Sequence, residues 1–158
     1  METEKHHTLI LGIGNDILTD DGIGPRLIQE LKKTMDHPHV TFITATVGGL
    51  EILELIKGYA KVIILDAIKT KDGVPGTIYK YTPAQFKETL HLSNFHDVSF
   101  LSALDFAKKV KISIPKQIDI IAIEIVEDLI FSNEFSPAIA KKYKAIFREV
   151  LDIVEALV

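Results

Sequence analysis

The chain contains no cysteine. That absence removes disulfides, thiolate nucleophiles and thiolate metal ligands together, so any metal site must use oxygen and nitrogen donors. No stretch is strongly basic and the formal charge is −4, which disfavours a nucleic-acid partner. Long apolar runs are missing as well. The first, Leu9 to Ile13, is far too short for a signal-peptide core or a membrane span. The expectation is a cytoplasmic protein with no membrane insertion. His6-His7 ahead of this run reads as flanking charge before a first strand.

What is present is ordinary for a soluble globular protein. The 158 residues are 47% apolar and 25% charged, enough to close a hydrophobic core in a single domain over 1–158. Thr8 to Ile13 predicts a buried strand. Ile23, Leu27, Ile28 and Leu31 share one face of a helix over Gly22 to Met35, with Pro25 in its first turn, where a missing N–H costs nothing. "HVTFITAT" predicts a second strand, and Gly48-Gly49 leads into a short helix, "LEILELIKGY", ending near Gly58. "KVIILDAI" is apolar on both faces, as a central parallel strand should be. Turn residues Asp72-Gly73 and Pro75-Gly76 precede an alternating strand, Thr77 to Tyr81, whose short connection to "LDAI" suggests an antiparallel pair. Asp97 to Val110 reads as a helix capped from Ser93 or Asn94, and "QIDIIAIEI" as a fifth strand. Ser136, as N-cap, and Pro137 open a closing helix that runs to Leu157. Strands alternating with helices imply a three-layer α/β/α sheet with right-handed crossovers.

The first strand ends in "LGIGNDILTDDGIG". A glycine-rich turn in that place suggests a nucleotide phosphate, but the third glycine of G-x-G-x-x-G is absent and no Gly-Lys-Ser/Thr follows. Asp20 and Asp21 would moreover repel a pyrophosphate. A nucleotide-binding module is thereby disfavoured. Helix capping is the competing role for the aspartates; one would serve it, and two adjacent ones repel.

Functional groups in open α/β sheets gather at the carboxyl ends of strands. There the chain offers Asn15, Asp16, Asp20 and Asp21 after the first strand, Asp66 ending the third, and His91 and His96 in the loop before the third long helix. Asp66 interrupts a strongly apolar strand, where a buried carboxylate without a partner would be costly. His96 could open the helix as an ordinary polar residue, with Asp97 as its partner or as a helix-start acid. As a set, Asp21, Asp66 and His96 suit a divalent cation of intermediate hardness, such as nickel or zinc. With no cysteine and no Gly-x-Ser-x-Gly elbow, covalent catalysis has little support.

"GIGNDILTDDGIGPRL" resembles the N-terminal signature of the hydrogenase maturation endopeptidases, G-x-G-N-x-L-x-x-D-[DE]-x-x-G. The likeness continues in order through "VGGLEILELI", "VIILDAI", "GVPGTIYKY" and "HDVSFLSAL". It implies a phosphorylase/hydrolase-like α/β/α domain with a mixed, mostly parallel five-stranded sheet. It further implies an endopeptidase that removes a C-terminal extension from the nickel-loaded large-subunit precursor of a nickel–iron hydrogenase. Nickel would be carried by that precursor, and zinc or cadmium could substitute for it in a structure. The family's acidic residue after the first strand, its later strand-ending aspartate and its histidine match Asp21, Asp66 and His96, as metal ligands and catalytic residues, with Asp20 as possible support. Several members have glutamate at the position of Asp21. Where many carry an Asp-Gly-Gly-Thr-like segment, this chain reads "TATVGGLE", leaving Gly48 and Gly49 for a turn or a backbone approach to substrate and Thr44 and Thr46 uncharged. A monomer or weak dimer meeting its precursor transiently is adequate. The alternative is a non-catalytic, metal-dependent checkpoint or assembly factor that binds the same precursor.

Overall fold

The computed structural model describes residues 5–86, 89–92 and 99–158. Among these, five strands form one sheet: β1 (Lys5–Ile13), β2 (Val40–Ala45), β3 (Tyr59–Ile68), β4 (Ile78–Tyr81) and β5 (Gln117–Glu124). The spatial order is β2-β1-β3-β5-β4, with β4 antiparallel to β5 and the other pairs parallel. The described residues also form four α-helices: α1 (Ile23–Thr34), α2 (Glu51–Ile56), α3 (Phe100–Lys109) and α4 (Pro137–Leu157). The mixed, mostly parallel sheet is as expected. The antiparallel strand is also as expected, but its neighbour is not: β4 pairs with β5, and β5 lies between it and β3. The 69–77 turn curls under the end of β5, where Thr70 N–H donates to Glu124 at 3.0 Å and Gly76 N–H to the Glu124 carbonyl at 2.8 Å. Those bonds fix the turn to β5 and carry β4 past it to the sheet edge.

Strand alternation divides the core. Leu9, Leu11 and Ile13 of β1, with Val62 and Ile64 of β3, face α2 and α3. Ile10, Ile63 and Leu65 face α1 and α4. The predicted stripe of α1 is the buried one, Ile23, Leu27, Ile28 and Leu31. Helix α3 begins at Phe100, where the expectation was Asp97, and is capped by Ser99, whose Oγ accepts from Ser102 N–H at 3.2 Å. Ser93, Asn94 and Asp97 lie outside the described residues.

The strand order matters for function. From β1 the chain moves outward to β2; from β3 it moves the opposite way, toward β4 and β5. Neighbouring β1 and β3 therefore flank the point where the winding reverses, and such a point opens a crevice beyond the strands' carboxyl ends. Asp21 and Asp66 follow from these two strands. His7 lies at the other end of β1, where its ring meets His39 edge-on at 5.3 Å.

Asp20 ties this edge together. It is fully buried, and its carboxylate accepts from Val126 N–H (3.1 Å), Glu127 N–H (2.9 Å), Ser136 N–H (2.8 Å) and Ser136 Oγ–H (2.7 Å). Ser136 precedes α4 as expected, but its hydroxyl serves Asp20 and makes no side-chain cap. Asp20→Ala would leave these donors without an acceptor in a dry place. We expect it to lower stability by about 3 kcal/mol, read as a lower urea midpoint at unchanged m-value. A loss under about 1 kcal/mol would show that the donors find other partners.

Candidate active site

Asp21 reaches the crevice on a 3₁₀ turn, Thr19–Gly22. The turn can fold back on β1 because Gly14 has no side chain. A Cβ there would lie 2.0 Å from the Asp21 carbonyl oxygen, and the residue has φ +149. Asn15 N–H then donates to Asp21 Oδ2 at 2.9 Å. Asp21 does not cap α1, whose N-cap is Gly22 without a side-chain bond. Gly12 and Gly24 likewise serve close packing: a Cβ on Gly12 would lie 2.7 Å from the Gly24 carbonyl oxygen, and one on Gly24 would lie 2.6 Å from that of Ile13 and 2.8 Å from that of Leu65. Backbone approach of helix to strand accounts for the signature without a phosphate.

Asp66 is fully buried and continues the face of Val62 and Ile64 toward α2 and α3. It accepts from Ala67 N–H at 2.8 Å, from the Thr89 hydroxyl and from His91 Nδ1. The other nitrogen of His91, Nε2, lies 2.7 Å from Asp21 Oδ1. One imidazole therefore joins the two carboxylates. Its position is set by buried neighbours in the chain, Thr89 and Leu92, and by the Phe100 N–H bond to the Leu92 carbonyl at 3.0 Å. Gly48 supports it from the other side, since a Cβ there would lie 2.0 Å from the His91 carbonyl. The close approach Gly48 permits is to this loop; Gly49 follows with φ +53.

The electrostatics follow from this contact. Burial opposes a charge on His91, but the bonds to Asp21 and Asp66 outweigh it and push its pKa up to about 10. Burial lifts the Asp66 carboxyl above its ordinary range, against the bonds from His91, Thr89 and the Ala67 N–H. An imidazolium donating through both nitrogens is the state these bonds describe.

Two of the expected trio lie among the described residues. Asp21 and Asp66 come together, His91 joins them, and His96 lies outside the described residues. Asp20 faces the opposite way, committed to the loop after β5. Thr44 and Thr46, which replace a charged segment of the resembled family, line a groove of about 240 Å³ with Gly14, Asp16, Pro25 and Gln29. Sequence reasoning did not find Thr89 or the Asn15 amide. A threonine in a polar loop carries no signal until the loop is folded, and a backbone donor carries none at all.

Two carboxylates and an imidazole at the switch point of a mixed α/β sheet, with no thiol in the chain, define an enzyme suited to acid–base or cation-assisted hydrolysis. The family model described as HycI, hydrogenase maturation protease, matches residues 25–153, and the chain belongs to that family; it is an endopeptidase. It is 30% identical over 120 residues to the hydrogenase 2 maturation protease of Escherichia coli, covering 73% of this chain and 71% of that protein. The fold is that of the hydrogenase maturating endopeptidase HybD from E. coli, with TM-score 0.73 at 24% identity over 95% of this chain and 93% of that one. A hydrogenase 2 maturation peptidase from a Thaumarchaeota archaeon superposes with TM-score 0.65 at 27% identity, over 96% and 97% of the two chains. A non-catalytic assembly factor and a nucleotide-binding module both give way to this assignment.

The raised pKa of His91 has a sign that can be checked. The folded protein holds this proton more tightly than the unfolded chain, so the stabilisation is complete below the ordinary value of 6.5 and is lost as pH rises through about 10. The stability gap between wild type and His91→Gln, measured by urea unfolding, should therefore be widest at about pH 6 and below and narrow steadily toward about pH 11. A gap constant across that window would place the proton elsewhere.

Proposed function

We propose that this endopeptidase removes a C-terminal extension from the large-subunit precursor of a nickel–iron hydrogenase after nickel has been inserted, in the cytoplasm. The observation that carries the reading is the meeting of Asp21 and Asp66 on one imidazole at the switch point, in a chain of this family. Oxygen and nitrogen donors of this kind suit nickel, and nickel arrives as part of the substrate. Asp21, Asp66 and His96 are its ligands in this reading. His91 pairs with both carboxylates before nickel comes, offsetting one of their two charges, and gives up that place to it. Nickel held there would place the scissile bond beside the carboxylates; either the metal would polarise the carbonyl or activate a water, or a carboxylate such as Asp21 would accept the proton of the attacking water while the metal only positions the substrate.

Mass spectrometry of purified precursor after incubation tests this. Nickel-loaded precursor should be shortened at its C-terminus, and the nickel-free form left whole. Comparable cleavage of both would remove nickel from the reading. Asp66→Ala and His96→Ala should abolish processing with the fold retained by circular dichroism. His91→Ala should keep processing and lose stability; abolition by His91→Ala alongside an active His96→Ala would transfer the ligand role to His91.

A further inference from the structure

The loop between β5 and α4 presents Leu129, Ile130 and Phe131 at 79%, 62% and 79% exposure. Single apolar residues on a surface are unremarkable, whereas three in succession make a patch. Ile17, 51% exposed, joins them from the segment just before the turn that carries Asp21. Ser132 N–H donates to the Ile17 carbonyl at 3.0 Å, and Thr19 N–H to the Ser132 carbonyl at 2.9 Å, so the two segments lie side by side. The exposure is not slack in the chain. Asp20 holds Val126, Glu127 and Ser136, and the Thr19 hydroxyl donates to the Ile130 carbonyl at 2.5 Å. Turning the apolar side chains inward would break bonds to a buried carboxylate.

We infer that Ile17, Leu129, Ile130 and Phe131 form the docking surface for the hydrogenase large-subunit precursor, taking an apolar segment of that protein with basic residues at its flanks. The inference rests on the precursor being the substrate. The position selects this occupant, because anything covering the patch lies beside the turn bearing Asp21. The charge selects it too: Asp16 adjoins Ile17 in the chain, Glu127 lies two positions before Leu129 and Glu134 three after Phe131, while Asp128, beside Leu129, is paired with Lys69 at 3.1 Å. An endopeptidase for a protein substrate draws binding energy from parts remote from the reacting bond, and a patch already held in place needs little ordering to supply it.

The test sets wild type against the double variant Leu129→Ser/Phe131→Ser on purified nickel-loaded precursor, with shortening followed at increasing precursor concentration and at two ionic strengths. The double variant should show a KM raised about tenfold or more with kcat within about twofold. Its melting temperature should not fall, and the wild-type KM should rise with salt. The single variant Phe131→Ser should show the same direction at smaller size. An unchanged KM overturns the docking surface and leaves the processing reading standing. A wild type that shortens no precursor overturns that reading and this inference with it. If sedimentation finds a wild-type dimer that the double variant dissolves without a change in KM, the patch belongs to a second copy of the chain and the inference fails.

Discussion

The site depends on one constraint: a carboxylate placed in a dry interior needs a counter-group within hydrogen-bond reach. Asp66 sits on a fully buried strand end, where an unpaired charge would cost several kcal/mol. Three donors meet it there: its neighbour's amide, the Thr89 hydroxyl and His91. The same imidazole reaches Asp21, so the loop of residues 89–92 is held to both β1 and β3 through a single ring. Leu92 and Thr89 are buried because that ring must be delivered to a fixed place. Fold and site thus share their fastening.

The paired aspartates show how adjacent like charges can be separated by geometry. On a 3₁₀ turn, successive side chains diverge, and here they are claimed from opposite directions. Asp20 collects backbone amides and a hydroxyl from the loop ahead of α4. Asp21 takes the Asn15 amide and His91. The first is a fastening for the turn, and the second is what the turn presents. Neither needs a cation to relieve repulsion with the other, which removes the argument for a metal that adjacency alone invites.

Much of this was legible in the sequence, and the reasons differ by element. The buried stripe of α1 and the apolar run of β3 carried their periodicity in local residues, and each lies where it was read. The neighbour of β4 was not legible, because the 69–77 turn is fixed by Glu124, a residue about fifty positions later that no local pattern joins to it. Asp21 and Asp66 could be found because polar groups ending apolar strands stand out. The histidine could not be settled in the same way. His91 and His96 share one loop, and only the folded positions of Thr89, Leu92 and Gly48 explain why His91 meets the carboxylates. Exposed apolar residues after β5 gave no signal either, since a run such as "DLIF" reads as core until the loop is seen pinned outward.

The imidazole bridge also bears on when such an enzyme acts. Both nitrogens of His91 are turned toward carboxylates, so the ring offers no lone pair to a cation until it moves. A cation entering between Asp21 and Asp66 must displace two charge-assisted hydrogen bonds, each stronger than a neutral one. A free ion in solution brings only its own hydration shell to that exchange. A nickel already seated in a protein brings further contacts, including any made with an apolar surface beside Asp21, and these add to the displacement. In a site built this way, the resident proton sets a threshold that a docked, metal-bearing partner can cross and a dilute free ion crosses far less readily. On the proposed reading, selectivity for a nickel-loaded precursor would follow from competition at these two carboxylates, with no separate sensor for nickel required.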